Sequence, residues 1–531
     1  MVENIAKSEV TSMLHYMPEI IWHDRESLLS VDFQTQHDEV GFYKLVTCSL
    51  RKEVRIWKMD FRMLSFGTED LGVYFIANLI GHRTTVNVAR FSPNGKFLVS
   101  GDCDGCIIIW KFDIDNPNVI LPRDDDFPPN VENWIRYKTP LSHDSDICSL
   151  CWSPDSKRFA IVSNDESFAI YDADTGDIQS SVGKRLWQMR SFRRFPNGVA
   201  WDPRGKYIAT MSTDRKLDIL CGKKGTRLVC IQNVRLPETA LRKSTLTAGK
   251  YKLFHDDQLM SFSRIPDFSP DGELLIAPSG ILETGSSNIF GTYVFRRRDL
   301  PKGRPAVFIP STKATFRVSC CPILYKLHKI VRNPLKLPYR VVWAALTKNT
   351  VYIFDSQLCR CIACATNLQY DTLTDMTWSP DGRVLMICSL EGYISFLRFG
   401  EIALGEKYTE EIYQLPPSPI FDRDRKGRKC GSSVIQLDEK RKKGSSPPNS
   451  LLKFFKRMAA SQAAKAGDQT KASKAFSGTS AVENKEKEDA TSCSDKPRTV
   501  VKRPGMFDDN KKESDVKTED KKRAKLITSP L

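Results

Sequence analysis

Four side chains in the first fifth of the chain are of the types that chemistry uses: His82, Ser100, Asp104 and Trp110. A Ser, a His and an Asp could form a proton relay serving a hydroxyl nucleophile. Their placement argues otherwise. Asp104 stands six residues before Trp110, and the step recurs from Asp165 to Tyr171 and from Asp214 to Leu220, while Arg51 stands six before Trp57. A repeated step of this kind joins a tight turn to the strand after it, so the four residues read as a buried hydrogen-bond chain that fixes one structural unit. His143 is placed to bond Asp165 in the same way, with Ile161 where the second unit has Ser100. Fifteen cysteines include three C-x-x-C pairs, Cys103/Cys106, Cys148/Cys151 and Cys361/Cys364. No second pair or His stands near them at zinc spacing, so they read as structural thiols with no metal. Neither a Gly-rich phosphate loop nor a paired-carboxylate constellation emerges, and the expectation is a non-enzymatic protein without cofactor.

The elements that would carry these residues are announced by a recurring turn: Ser92-Pro93-Asn94-Gly95, Ser153-Pro154-Asp155-Ser156, Asp202-Pro203-Arg204-Gly205, Ser269-Pro270-Asp271-Gly272 and Ser379-Pro380-Asp381-Gly382. Pro presets φ at the first turn position and Gly accepts the positive φ that follows. Each turn follows an aromatic residue and opens into an apolar run. The first residues of the five lie 61, 49, 67 and 110 positions apart, the last interval being close to two units. A period near fifty with several short strands per unit predicts an all-β, seven-bladed propeller. The second unit, from His82 to Trp110, looks like a WD-repeat blade; the first, fifth, sixth and seventh are degenerate.

The chain of 531 residues is longer than such a ring needs. Residues 1–16 read as an N-terminal extension, 17–402 as the propeller with an insertion at about 223–250, and 403–531 as a disordered basic tail. From Phe421 onward there are 28 Lys and Arg against 16 Asp and Glu, so this stretch holds +12 of the chain's net +16. Such a composition cannot bury enough apolar surface to offset the entropy of ordering. Met1 to Ile20 mixes charges among its apolar residues, and no run is long enough to span a bilayer, which predicts a soluble intracellular protein with no membrane partner.

Several stretches are more specific than any blade consensus. Tyr251-Lys252-Leu253-Phe254-His255-Asp256-Asp257, Phe268-Ser269-Pro270-Asp271-Gly272 and Thr292-Tyr293-Val294-Phe295 resemble the p60-type WD-repeat family of chromatin assembly factor 1. Cys320-Cys321-Pro322, Leu337-Pro338-Tyr339-Arg340 and Ser389-Leu390-Glu391-Gly392-Tyr393 extend the likeness over roughly residues 17–400, and the histone regulator HIRA shares a weaker version. The resemblance implies a nuclear, non-catalytic subunit of a histone chaperone that deposits histones H3 and H4 on newly replicated or repaired DNA. It implies a propeller that docks the large subunit of that complex, alongside the small histone-binding WD-repeat subunit. A substrate receptor of a ubiquitin ligase is the alternative, since it too can combine degenerate blades with a basic tail.

Three motifs stand in the tail. The final residues Lys522, Arg523, Leu526, Ile527, Pro530 and Leu531 resemble the motif through which this family and HIRA bind the anti-silencing function 1 chaperone, by strand addition to an exposed sheet edge. Ala524 and Lys525 intervene between the basic pair and Ile527, which leaves the register open, and a nuclear localisation signal at Lys521, Lys522 and Arg523 is the second reading. Leu451, Phe454 and Phe455 have the spacing of a sliding-clamp motif, with Pro448 where Gln is usual; an unassigned partner helix is the alternative. The run Lys440, Arg441, Lys442 and Lys443 reads as a nuclear localisation signal rather than a DNA-reading site.

Overall fold

The computed structural model describes residues 13–410, apart from 36–41, 62–71, 117–127, 174–184, 237–248, 284–287 and several isolated positions, together with 526 and 527. Seven antiparallel sheets form a ring. Their innermost strands follow one another around it: Leu28–Phe33, Val86–Phe91, Ile147–Trp152, Pro196–Trp201, Asp267–Phe268, Arg317–Tyr325 and Leu373–Trp378, the seventh meeting the first. Each blade then meanders outward through neighbouring strands, as an up-and-down sheet does. This is the seven-bladed propeller that the turn spacing predicted.

The turn between the first and second strands has the expected chemistry. Ser92 N–H donates to Phe97 O, Gly95 N–H donates to Ser92 O, and the Ser92 hydroxyl caps Asn94. Gly95, Gly205, Gly272 and Gly382 hold φ between 67° and 74°, whereas Ser156 accepts a φ of 59° in the third unit. The aromatic residue before the turn reaches back one blade: Trp152 Nε1 donates to Arg90 O at 3.1 Å and Trp378 Nε1 to Ser319 O at 3.0 Å. The apolar core lies between blades, where for example Ile56 and Ala77 of the first pack with Leu98 and Ile108 of the second.

Two boundaries differ from the sequence reading. Met13–Tyr16 lies within the stretch read as an extension, yet it is the outermost strand of blade seven, pairing antiparallel with Ile394–Phe399 from Met13 opposite Phe399 to Tyr16 opposite Phe396. The start of the chain thereby closes the ring. The stretch read as an insertion at 223–250 begins too early, because Arg227–Ile231 is the outer strand of blade four, paired with Lys216–Cys221. Its mostly exposed residues carry no apolar alternation to betray a strand. The excursion proper is the hairpin of Asn233–Leu236 with Gly249–Lys252. The tail beyond 410, including 440–443, 451–455 and 521–523, lies outside the described residues save for 526 and 527.

Candidate functional site

The sequence tetrad is present with one member exchanged. Trp110 Nε1 donates to Ser100 Oγ at 2.9 Å, Ser100 Oγ meets His82 Nε2 at 2.6 Å, and His82 Nδ1 meets a carboxylate at 2.8 Å. That carboxylate is Asp102, not the predicted Asp104. Asp104 is exposed at the turn and gives only its backbone N–H to Asp102 Oδ1. Asp102 also receives the Cys106 N–H at 2.8 Å, so one buried side chain closes the turn and anchors the histidine. Blade three keeps the predicted arrangement: Asp165 Oδ2 lies 3.1 Å from His143 Nδ1, and Tyr171 OH meets His143 Nε2 directly at 2.8 Å in place of the Ser–Trp relay. Burial would raise the Asp165 carboxyl, but its bonds to His143 and Ser167 outweigh this and hold it below the usual carboxylate range.

The first blade contains a lock that the sequence reading did not identify. Trp57 Nε1 donates to Thr47 Oγ1 at 2.8 Å, and Thr47 Oγ1 lies 2.9 Å from His23 Nε2. The step from Thr47 to Trp57 matches that from Ser100 to Trp110, which was the available signal. Burial, assisted by Arg55, holds the His23 imidazole well below its ordinary pKa and hence neutral. All three histidines are consumed by structural bonds, and none faces a nucleophile in a cleft. Among the described residues, His82, Asp102 and Cys106 are the only group close enough to share an ion, and both nitrogens of His82 are already engaged. Burial raises the Cys106 and Cys361 thiols to about 11 and pushes Cys148 well above its ordinary value, so these members of the C-x-x-C pairs stay protonated.

The centre of the ring was not legible at all. Strand alternation points every second inner-strand residue at the axis, and a guanidinium–carboxylate bridge crosses it. Arg90 of blade two lies 2.9 Å from Asp375 Oδ2 and Arg317 of blade six lies 2.6 Å from Asp375 Oδ1. Arg90 also donates to Ser30 Oγ and Ala89 O, and Arg317 to Met376 O. Burial would raise the Asp375 carboxyl, but Arg317 and Arg90 outweigh it and keep it below its usual range.

On one side of this bridge is a small cavity of about 60 Å³, and on the other a bowl of about 480 Å³ walled by Phe91, Trp152 and Trp201. Asp32 and Asp267 line the bowl from blades one and five. Each takes a single backbone N–H on one oxygen, from Phe91 at 2.9 Å and from Cys320 at 2.7 Å. Burial pushes both carboxyls up to about 6, against the pull of Arg90 on Asp32 and of the Cys320 N–H on Asp267. The bowl contains no nucleophile paired with a base; it is a concave polar surface rather than a reaction centre.

The remaining predicted site surfaces at the rim. The outer strand of blade six, Arg360–Thr366, is flanked by a short strand from the end of the chain, Leu526–Ile527. The two run antiparallel, with Leu526 opposite Ala365 and Ile527 opposite Cys364.

The same ring recurs in known proteins. The family described as the CAF1B/HIR1 beta-propeller domain matches residues 13–404, the span from the ring-closing strand through the last blade. The chromatin assembly factor 1 protein CAF1B of Mus musculus is 33% identical over 410 residues, covering 73% of this chain and 67% of its own length. Its Saccharomyces cerevisiae namesake is 28% identical, covering 71% of this chain and 84% of its own length. Protein hir1 of Schizosaccharomyces pombe is 27% identical over 62% of this chain and 31% of its own. A full ring of seven blades, closed by its own N-terminal strand and matched from end to end, places the chain in the CAF1B family of chromatin assembly factor 1, whose propeller HIR1 proteins share.

Proposed function

We propose that this chain is the propeller subunit of a nuclear histone chaperone complex that deposits histones H3 and H4 on newly replicated or repaired DNA. The observation that carries the reading is the match of the whole ring, residues 13–404, to the family propeller. The chain acts without catalysis: the histidines that could have served a relay are spent holding blades together. A rigid ring with many rim loops suits several simultaneous contacts. In this reading the propeller docks the large subunit, with the small histone-binding WD-repeat subunit in the same assembly. Residues 522–531 bind the anti-silencing function 1 chaperone by strand addition, and the basic runs at 440–443 and 521–523 direct nuclear import. Leu451, Phe454 and Phe455 offer a contact to the sliding clamp.

The test is to purify tagged full-length chain and a version ending at Glu519 from nuclear extract and to identify what each retains. Both should recover the large subunit and histones, and the full chain alone should recover the anti-silencing chaperone. Recovery of a cullin adaptor in place of histone-handling proteins would overturn the assignment in favour of a ubiquitin-ligase receptor.

A further inference from the structure

The outer edge of blade six lacks the devices that keep sheet edges unpaired. Charge, proline or a covering segment normally blunts such an edge. Elsewhere in the ring these are present: Val131 and Glu132 cover the outer strand of blade one by donating to Ile76 O, and the outer strand of blade five, Val307–Ser311, contains Pro310. From Cys361 to Thr366 blade six has neither charge nor proline, and it is here that Leu526–Ile527 pairs.

We propose that this edge is a strand-accepting surface whose resident is the chain's own C-terminal motif, which is thereby held in cis and withheld from partners. The second half of the statement rests on reading residues 522–531 as a chaperone-binding strand. A strand added to a sheet edge spends its outward N–H and C=O groups on that edge. Leu526 and Ile527 are the same two residues that the motif would lay on the chaperone, so docking in cis and binding in trans exclude each other. The apparent affinity of the full chain for the chaperone is then the intrinsic affinity scaled by the fraction of undocked tail. Release of the tail becomes a control point for recruitment, set by whatever competes for the blade-six edge.

The native Cys364 supplies the probe for docking. Opposed Cα atoms of an antiparallel pair lie about 4.5–5.5 Å apart, within the span a disulfide bridges. In full-length Ile527→Cys, oxidised with glutathione disulfide and mapped by peptide mass spectrometry, the new thiol should link to Cys364, and Cys364→Ser should abolish that link. No link, or links scattered over the other cysteines, overturns the docked strand.

Withholding is read separately, by titrating recombinant anti-silencing chaperone against the full chain and against a peptide of residues 519–531. The peptide should bind about threefold tighter or more. Cys364→Lys, which charges the edge, should bring the full chain up to the peptide's affinity with an unchanged melting profile. Equal binding by chain and peptide overturns withholding while leaving the motif reading intact. Failure of both to bind sinks the motif reading and withholding together, and the cross-link then judges the docked strand on its own.

Discussion

The first three blades and the last four solve one problem with different chemistry. In blades one to three a histidine ties the sheet internally: His23 through Thr47 to Trp57, His82 through Ser100 to Trp110, His143 to Tyr171. Later blades rely on arginine clamps. Arg297 grips Asp202 of the preceding blade with two bonds of 2.8 and 2.7 Å, and Arg340, itself buried, holds the fully buried Asp355 while donating to Lys326 O and Leu404 O. The comparison teaches that blade geometry demands a satisfied polar link between strands and is indifferent to what supplies it. The two solutions should nonetheless fail differently, since neutral networks lose hydrogen bonds whereas clamps leave behind a charge.

The largest effect should come from the clamp side. Arg340→Met strands the Asp355 carboxylate in the core and should cost about 3–5 kcal/mol, read as a fall in the urea midpoint at unchanged slope. A loss under 1 kcal/mol would mean that the charge is not buried as described. On the histidine side, Asp102→Ala should cost about 2–3 kcal/mol by orphaning His82 and two backbone N–H groups. Asp104→Ala should stay within about 0.5 kcal/mol, as surface changes do. If the two changes had the same cost, the reassignment of the lock to Asp102 would fail.

The channel sharpens the contrast through pH. Asp32 and Asp267 have folded-state pKa values raised to about 6, so the stability they give is complete below the ordinary carboxylate value and is lost as pH rises through about 6. Asp375 and Asp165 are depressed, so theirs is present at neutral pH and lost on acidification below the ordinary value. Replacing Asp32 and Asp267 together with Asn should remove a loss on the order of 2 kcal/mol per group between pH 4 and 6, measured by urea unfolding at stepped pH. An unaltered profile would show that the two carboxyls titrate normally. The smallest difference concerns the aromatic ties. Trp152 Nε1 has an acceptor and Trp201 Nε1 has none among the described residues, so Trp152→Phe should be about 1 kcal/mol more costly than Trp201→Phe by thermal melting.

Legibility in the sequence followed the range of the interaction. Ser92 to Gly95 and its repeats announced themselves because a turn is closed by residues within five positions of one another, and their spacing then counted the blades. His82, Ser100 and Trp110 were found by the same local logic, as was the pairing of His143 with Asp165. Asp102 and Asp104 both stand within reach of the turn, and composition does not say which carboxylate will be buried. Met13–Tyr16 looked like an extension because its partner, Ile394–Phe399, lies at the far end of the propeller.

What the amino-acid string determined by itself was the repeat, and through it the ring, since turn chemistry and strand alternation are properties of neighbours. What only the tertiary structure decided was everything that arises from closing the ring. The bridge from Arg90 through Asp375 to Arg317 gathers residues from blades two, seven and six, the bowl joins Asp32 to Asp267, and the edge of blade six meets residues 526–527. Charges so far apart in the chain meet only once loop closure has been achieved, and that entropy is met by the whole set of interblade contacts rather than by any local signal.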